Sequence, residues 1–345
     1  MVTGRYAQAA EHLRAHPERW LVTGVAGFIG SGILRQLLDL NQEVVGLDNF
    51  ATGRRENLED VRARVSEAAW KRFELRAGDI VQPSDCLHAC QGVRYVLHQA
   101  ALGSVPRSLQ NPQATHEANA TGTLNVLHAA REAGVRRVVY ASSSSVYGDS
   151  AELPRVEARL GLPLSPYAAS KRACELYASS FTRALGLPTV GLRYFNVFGP
   201  RQNPDGPYAA VIPRWIAHLL AGRPCTIYGD GQSSRDFCYL ENAVQANLLA
   251  AMANEDAVAG DCFNVGSGEE LSLLELHASL VEALQAARPG LAPPAPRFEA
   301  FRAGDVAHSR ADLSRAQERL GYFPGVSIRA GLKAAVDWYV RERMG

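Results

Sequence analysis

Tyr167 and Lys171 stand four positions apart in the stretch Ser165-Pro166-Tyr167-Ala168-Ala169-Ser170-Lys171. If residues 165 to 180 begin a helix, the phenol and the ammonium project from one face. A cation held beside a phenol favours its anionic form, and a phenolate is a base that can take a proton from an alcohol near neutral pH. Tyr-x-x-x-Lys alone is a common accident of helical sequence. Its weight comes from a run of hydroxyls upstream, Ser142, Ser143, Ser144 and Ser145. A hydroxyl from that run can hydrogen-bond the alcohol oxygen that gives up its proton.

Groups so far apart in sequence meet only if strands deliver them to a common edge. Trp20-Leu21-Val22-Thr23 is a short apolar run followed at once by Gly24-Val25-Ala26-Gly27-Phe28-Ile29-Gly30 and then by the helical pattern Ile33, Leu34, Leu37, Leu38. Strand, glycine turn and helix form the context of a dinucleotide fingerprint, in which backbone N–H groups approach a pyrophosphate at the positive end of the helix. The spacing here is Gly-x-x-Gly-x-x-Gly, one residue off the commoner Gly-x-Gly-x-x-Gly. A second strand, Glu43-Val44-Val45-Gly46-Leu47, ends in Asp48, placed to accept hydrogen bonds from an adenosine ribose. A carboxylate there repels a 2′-phosphate, which favours NAD over NADP; Arg54 and Arg55, further into the loop, read as solvated.

Residues 56–70 read as one connecting helix, and Arg72-Phe73-Glu74-Leu75 as a strand leading to Gly78-Asp79-Ile80, where Asp79 can reach an adenine amino group. Tyr95-Val96-Leu97-His98-Gln99-Ala100-Ala101 is another apolar strand, ending in small residues that leave space for a cofactor at the crevice of a parallel sheet. His98 within it reads as a packed, hydrogen-bonded histidine. Asn119 either caps the helix that carries Leu124, Val126 and Leu127 or braces the sheet. Arg137-Val138-Val139-Tyr140-Ala141 is the fifth strand, and it runs into the serines. This alternation predicts an α/β fold, a Rossmann-like doubly wound parallel sheet with the serines and the Tyr/Lys pair on its ligand side. From Leu187 onward the alternation fades, as in a smaller, discontinuous C-terminal substrate domain. The expected division is residues 1–190 for the dinucleotide-binding domain and 191–345 mainly for substrate, with segments returning to the first.

The 345 residues can bury a substantial core, and 47% hydrophobic with 21% charged residues is an ordinary soluble composition. Lys and Arg number 36 against 35 Asp and Glu, so no excess basic charge points to nucleic acid or an anionic membrane. Anionic ligands must be held by local arginines. Of the six cysteines only Cys86 and Cys90 are close, without the second pair or histidines that a zinc site needs, so no metal is expected. Residues 1–20 hold no continuous apolar segment, which makes cytoplasmic residence the expectation. Ala292-Pro293-Pro294-Ala295-Pro296 reads as a short spacer.

Taken in order, Thr23-Gly24-x-x-Gly27-Phe28-Ile29-Gly30, Asp48-Asn49, Gly78-Asp79, His98-Gln99-Ala100-Ala101, Ser142-Ser143-Ser144, Val146-Tyr147-Gly148, Ser165-Pro166-Tyr167-x-x-Ser170-Lys171 and Arg193-Tyr194-Phe195-Asn196-Val197-Phe198-Gly199-Pro200 resemble the extended short-chain dehydrogenase/reductase family. Within that family the chain resembles nucleotide-sugar 4-epimerases. Leu47-Asp48-Asn49-Phe50-Ala51-Thr52-Gly53 and Ala100-Ala101-Leu102-Gly103-Ser104-Val105-Pro106-Arg107-Ser108 are similar to the bacterial subgroup acting on UDP-N-acetylglucosamine and UDP-N-acetylgalactosamine.

The resemblance implies Tyr167 as base, Lys171 as holder of the nicotinamide ribose, and Ser143, four positions before Tyr147, as hydroxyl partner, with the other serines as alternatives. It implies NAD contacts from Gly24, Gly27, Phe28, Ile29 and Gly30, and from Asp48, Asn49, Phe50, Thr52 and Gly53. Further contacts to NAD fall on Asp79, Ile80, Gln99, Ala100, Ala101, Asn119, Ser142, Tyr194 and Val197. For a UDP-sugar it implies Gly103, Ser104, Ser144 and Ser145 near the sugar, and Asn196 on the pyrophosphate. Ala210 and Val211 fall in the loop beside uracil, with Tyr228 near the base. Arg235 and Arg302 fall on the diphosphate, where the guanidinium fork suits the task, and Asp305 on the uridine ribose. Ser309 occupies the position that closes the pocket around the sugar's 2-substituent, where a tyrosine would exclude an N-acetyl group.

The implied reaction is oxidation at C4 of the sugar, rotation of the 4-keto sugar and reduction from the opposite face, with UDP-glucose and UDP-galactose also accepted. The rival 4,6-dehydratases place an Asp-Glu pair where this chain has Ser144 and Ser145. A non-catalytic NAD-binding protein is the rival from another class. A homodimer through paired helices is implied, with Leu124, Leu127, Cys174, Tyr177 and Phe181 as contributors.

Overall fold

Trp20, Leu21 and Val22 are consecutive apolar residues, a pattern suited to a strand covered on both faces, and all three are fully buried in β1 (Arg19–Thr23). The computed structural model describes residues 4–206, 208–301 and 307–344. Helix α1 (Arg5–Ala15) precedes β1. After it come α2 (Phe28–Asp39), β2 (Glu43–Asp48), α3 (Arg55–Arg64), α4 (Glu67–Trp70), β3 (Phe73–Ala77), α5 (Pro83–Cys90) and β4 (Tyr95–His98). The next segment holds α6 (Val105–Gln110), α7 (Pro112–His116), a π turn (Glu117–Thr121), α8 (Gly122–Glu132), β5 (Arg137–Ser143), α9 (Pro166–Leu185) and β6 (Thr189–Tyr194).

The single connecting helix expected over 56–70 is two helices. The helical run ends at Val65, and Ser66 starts the next by accepting the Ala69 N–H on its Oγ at 3.1 Å. Strand β5 also runs two residues further than its apolar core, so Ser142 and Ser143 belong to the strand and are held by its ladder to β6.

Beyond β6 lie β7 (Val197–Phe198), α10 (Val211–Leu220), β8 (Thr226–Tyr228), β9 (Ser234–Arg235) and β10 (Cys238–Tyr239), then α11 (Leu240–Met252) and β11 (Asp261–Val265). Among the described residues seven strands form one all-parallel sheet in the order β11-β6-β5-β4-β1-β2-β3. The division expected at residue 190 therefore falls inside β6, and the alternation that fades after Leu187 continues in β6, α11 and β11. The sequence hides it because the crossover from β6 to β11 leaves the sheet to supply part of the smaller unit, which the chain after β11 completes. Chain order reverses between β1 and β4, which opens a crevice at the carboxyl ends of those strands.

The smaller unit has an apolar core of its own, with Phe198, Trp215, Ile227, Phe237, Leu280 and Val336 packed together. It adds β12 (Leu271–Ser272), β13 (Arg297–Glu299) and β14 (His308–Ser309), pairing β12-β9-β14 and β13-β8. Helix α1 docks on α11 and buries Ala10 and Leu13 in the main core. Each cysteine is a free thiol, five of them buried. Among the described residues no helix is long and apolar enough to cross a membrane. Of the residues named for a dimer surface, Leu127, Cys174 and Phe181 are buried in the chain's own packing and cannot face a partner, whereas Tyr177 is 43% exposed beside exposed Leu176.

Candidate active site

Helix α9 starts where its sequence says it should. Ser165 accepts the Ala168 N–H on its Oγ at 3.2 Å, and Pro166 fills the first turn, where no N–H partner is needed. Tyr167 and Lys171 then lie one turn apart, and both line a cleft at the strand-order reversal. Lys171 donates from Nζ to the Ala141 carbonyl at 3.0 Å, which ties the helix to the end of β5. Two residues along β5, Ser143 Oγ accepts the Ser145 N–H at 3.1 Å, so its own proton remains free to be donated elsewhere. Ser145 Oγ is buried without a hydrogen-bond partner among the described residues. The Ser142 hydroxyl is spent inward, donating to Glu175 Oε1 at 2.6 Å.

The cleft measures about 490 Å³. Gly24, Gly27 and Gly30 form one wall, and two of them tolerate no side chain. Gly24 has φ +68° and a Cβ there would lie 2.8 Å from Ala100 Cα; at Gly30 it would lie 2.0 Å from the Gly24 carbonyl oxygen. Asp48 closes the end of β2, its carboxylate accepting the Ala26 and Phe50 N–H groups at 2.8 Å each. Burial raises its pKa and outweighs those two hydrogen bonds. Asn49 Nδ2 donates to Asp79 at 2.8 Å. A side-chain-free cradle at the start of a helix, with a fixed carboxylate at the end of the next strand, fits a dinucleotide.

Most residues expected at the cofactor meet here: besides those named, the lining includes Phe28, Ile29, Thr52, Gly53, Ile80, Gln99, Ala100, Ala101, Ser142 and Tyr194. Three do not line the cleft. Phe50 sits under the Arg55 guanidinium, 4.4 Å from the ring centroid, so Arg55 is not simply solvated. Val197 lies in the β7–β10 pair. Asn119 is buried in the π turn, exchanging hydrogen bonds with the Leu102 backbone at 2.8 and 3.2 Å and donating to Ser170 Oγ at 3.0 Å. It braces rather than caps.

Sequence reasoning missed Ala114, Glu117 and Ala118, which line the cleft from α7 and the π turn; small residues around an acid at near-helical spacing were the available signal. It also missed Asn247. That side chain closes a ring in which Gln99 donates to Asn247 at 3.0 Å, Asn247 to the Tyr194 hydroxyl at 2.7 Å, and Tyr194 to Gln99 at 3.1 Å.

His98 is packed as expected, between Thr23 Oγ1 at 2.7 Å and Thr123 Oγ1 at 3.0 Å. Burial, then the Lys171 charge, pushes its pKa from 6.5 down to about 3. The folded state therefore holds a neutral imidazole, while the unfolded chain takes up a proton as pH falls below 6.5. The stability contributed is full above that value and lost progressively down to about 3. By pH 5 His98 alone is expected to cost about 2 kcal/mol. Denaturant titrations of the wild-type protein and His98→Gln at pH 7.5 and 5 check this, and an equal pH dependence in both would contradict it.

Three expected substrate residues meet around Asp236. Asn196 Nδ2 donates to its carbonyl at 2.9 Å, Ser309 accepts its N–H at 2.7 Å, and Ser309 sits in register with Arg235. The Asp236 carboxylate is fully buried and accepts from the Ser267, Gly268 and Ala311 N–H groups, which pins three segments together. Gly103 lines the cleft, and Ser104, at φ +100°, caps α6. Ala210 precedes α10, Val211 begins it, and Tyr228 ends β8. Arg302 and Asp305 lie outside the described residues.

Residues 20–266 match the NAD dependent epimerase/dehydratase family. The chain is 39% identical over 323 residues to the UDP-glucose 4-epimerase of Mycolicibacterium smegmatis, covering 93% of this chain and 98% of that protein. Its fold is similar to that of a UDP-N-acetylglucosamine 4-epimerase from Methanobrevibacter ruminantium solved with UDP-N-acetylmuramic acid. The TM-score is 0.85 at 34% identity, over 94% of this chain and 99% of that one. It is also similar to a dTDP-glucose 4,6-dehydratase from Streptomyces venezuelae solved with NAD, with TM-score 0.83 at 34% identity over 94% and 98% of the two chains.

Proposed function

From the premise that the chain belongs to the NAD dependent epimerase/dehydratase family and uses NAD, we propose that it inverts the C4 hydroxyl of UDP-sugars. We place UDP-N-acetylglucosamine and UDP-N-acetylgalactosamine first among them, with UDP-glucose and UDP-galactose also used. The observation that carries this reading is the meeting of Tyr167, Lys171 and the glycine cradle in one cleft, with Ser143 at the adjoining strand end.

Gly24, Gly27 and Gly30 would hold the pyrophosphate of NAD, and Asp48 its adenosine ribose. NAD, when bound, would supply the reversible hydride acceptor for the sugar's C4. Tyr167 takes the proton of the 4-hydroxyl as its C–H bond breaks, and Ser143 donates a hydrogen bond to the same oxygen. Lys171, tied to the Ala141 carbonyl at the end of β5, would hold the nicotinamide ribose. Arg235, with Arg302, grips the diphosphate while the flat 4-keto sugar turns about its bond to that anchor. Tyr167 then returns the proton as the opposite face is reduced, so no net oxidant is consumed. Ser309, being small, leaves room for a 2-acetamido group.

A 4,6-dehydratase shares the first oxidation, but loss of water from C5 and C6 needs a further acid and base. Ser144 and Ser145 stand where that pair would be, and neither is a carboxylate. Cytoplasmic residence and a homodimer complete the reading. The test is to incubate purified protein separately with UDP-N-acetylglucosamine and UDP-glucose, without added NAD, and identify the products. The 4-epimers are expected from both; a 4-keto-6-deoxy product, or none, would overturn the reading.

A further inference from the structure

Behind the cleft lies an ion pair to which the reaction as described gives no role. Glu175 follows Lys171 by one helical turn, on the same face of α9. It is buried, and its carboxylate takes the fork of Arg193, Nε at 2.8 Å and Nη2 at 3.0 Å. Arg172 adds a third bond at 2.7 Å. Arg193 is buried as well, opposite Ser142 in the β5–β6 ladder. Its remaining nitrogen, Nη1, donates to the Tyr147 hydroxyl at 3.2 Å and the Glu157 carbonyl at 2.9 Å. Tyr147 in turn donates to Asn264 at 2.6 Å.

The segment 141–147 is therefore fastened to α9 at three successive points. Lys171 holds the Ala141 carbonyl, Glu175 holds the Ser142 hydroxyl, and Arg193, itself locked to Glu175, holds Tyr147. Ser143 lies between the second and third. Desolvation alone would raise the Glu175 pKa, but the Arg193 hydrogen bonds and charge outweigh it and lower it, so the pair stays charged. A buried ion pair is weak evidence of stabilisation, because well-packed apolar residues often do as well. What it does supply is direction, since a guanidinium fork accepts a carboxylate in few orientations.

We propose that Glu175 and Arg193 are positioning residues that fix Ser143 against the Tyr167 phenol, so that both reach one substrate oxygen. The inference rests on the epimerase reading above and adds residues that touch neither cofactor nor sugar. Each acts only through Ser143.

Two cuts test it. Ser142→Ala removes the link from Glu175 to the strand and strands no buried charge. Glu175→Leu with Arg193→Met removes the pair together. Each is made in the wild-type and in the Ser143→Ala background, with kcat, KM and bound NAD measured. In the wild-type background kcat is expected to fall about tenfold or more, with KM unchanged and NAD content unchanged too, because the Ser142 hydroxyl is donated to Glu175 and not into the cleft. In the Ser143→Ala background no further loss is expected, because the residue being positioned is already gone. Equal fold-losses in both backgrounds, or a full-rate Ser142→Ala enzyme, would overturn the proposal. If the paired replacement does not fold, Ser142→Ala decides alone. A wild-type protein inert on every UDP-sugar would instead sink the underlying reading, which is a different result.

Discussion

Replacing Tyr167 by phenylalanine is expected to lower kcat for C4 epimerisation by about a thousandfold, the scale of a lost general base. The ring keeps its place on α9, since Ser165 and Pro166 set the helix start and the glycine wall lies on other elements. Bound NAD and KM should therefore stay within a few-fold of wild type, as expected for a group that acts only in the transition state. The check is steady-state kinetics beside the NAD content of the denatured protein. Turnover within tenfold of wild type would remove Tyr167 from the proton path.

The second large effect concerns the sugar. Ser309→Tyr should lower turnover of UDP-N-acetylglucosamine at least about a hundredfold and leave UDP-glucose within a few-fold, because a whole ring in a pocket wall is a steric barrier. The backbone at 309 has little freedom to retreat. Its carbonyl is bonded to the Asp236 N–H and its strand is in register with Arg235. On the proposed reading, in which Ser309 faces the sugar's 2-substituent, the added ring would fill the space that substituent takes. Equal losses on the two substrates would refute the gate.

The features legible in the sequence were those written in local pattern. Trp20 to Val22, the glycines behind them and Asp48 at the end of the next strand each carry their meaning within a few residues. Ser165-Pro166 announces the start of α9, and four-residue spacing places Tyr167 and Lys171 on one face. What stayed hidden was set by distant partners. Nothing near Asn119 says whether it caps or braces; Leu102 and Ser170 decide. Asn247 meets Gln99 from 148 residues away. Ser142 looks like one more hydroxyl for the ligand until Glu175 is seen to hold it. The two returning strands β6 and β11 were obscured because the excursion between them helps build another core, shared with the chain after β11.

The C4 hydrogen leaves the sugar and returns to the same carbon within one cleft, so its fate distinguishes this chemistry from any other. UDP-N-acetylglucosamine deuterated at C4 is incubated with purified protein in ordinary water, without added NAD, and the product is examined by mass spectrometry and NMR. UDP-N-acetylgalactosamine with the deuterium still on C4 is the expected product. Product carrying hydrogen there, or label moved to another carbon, would contradict that return.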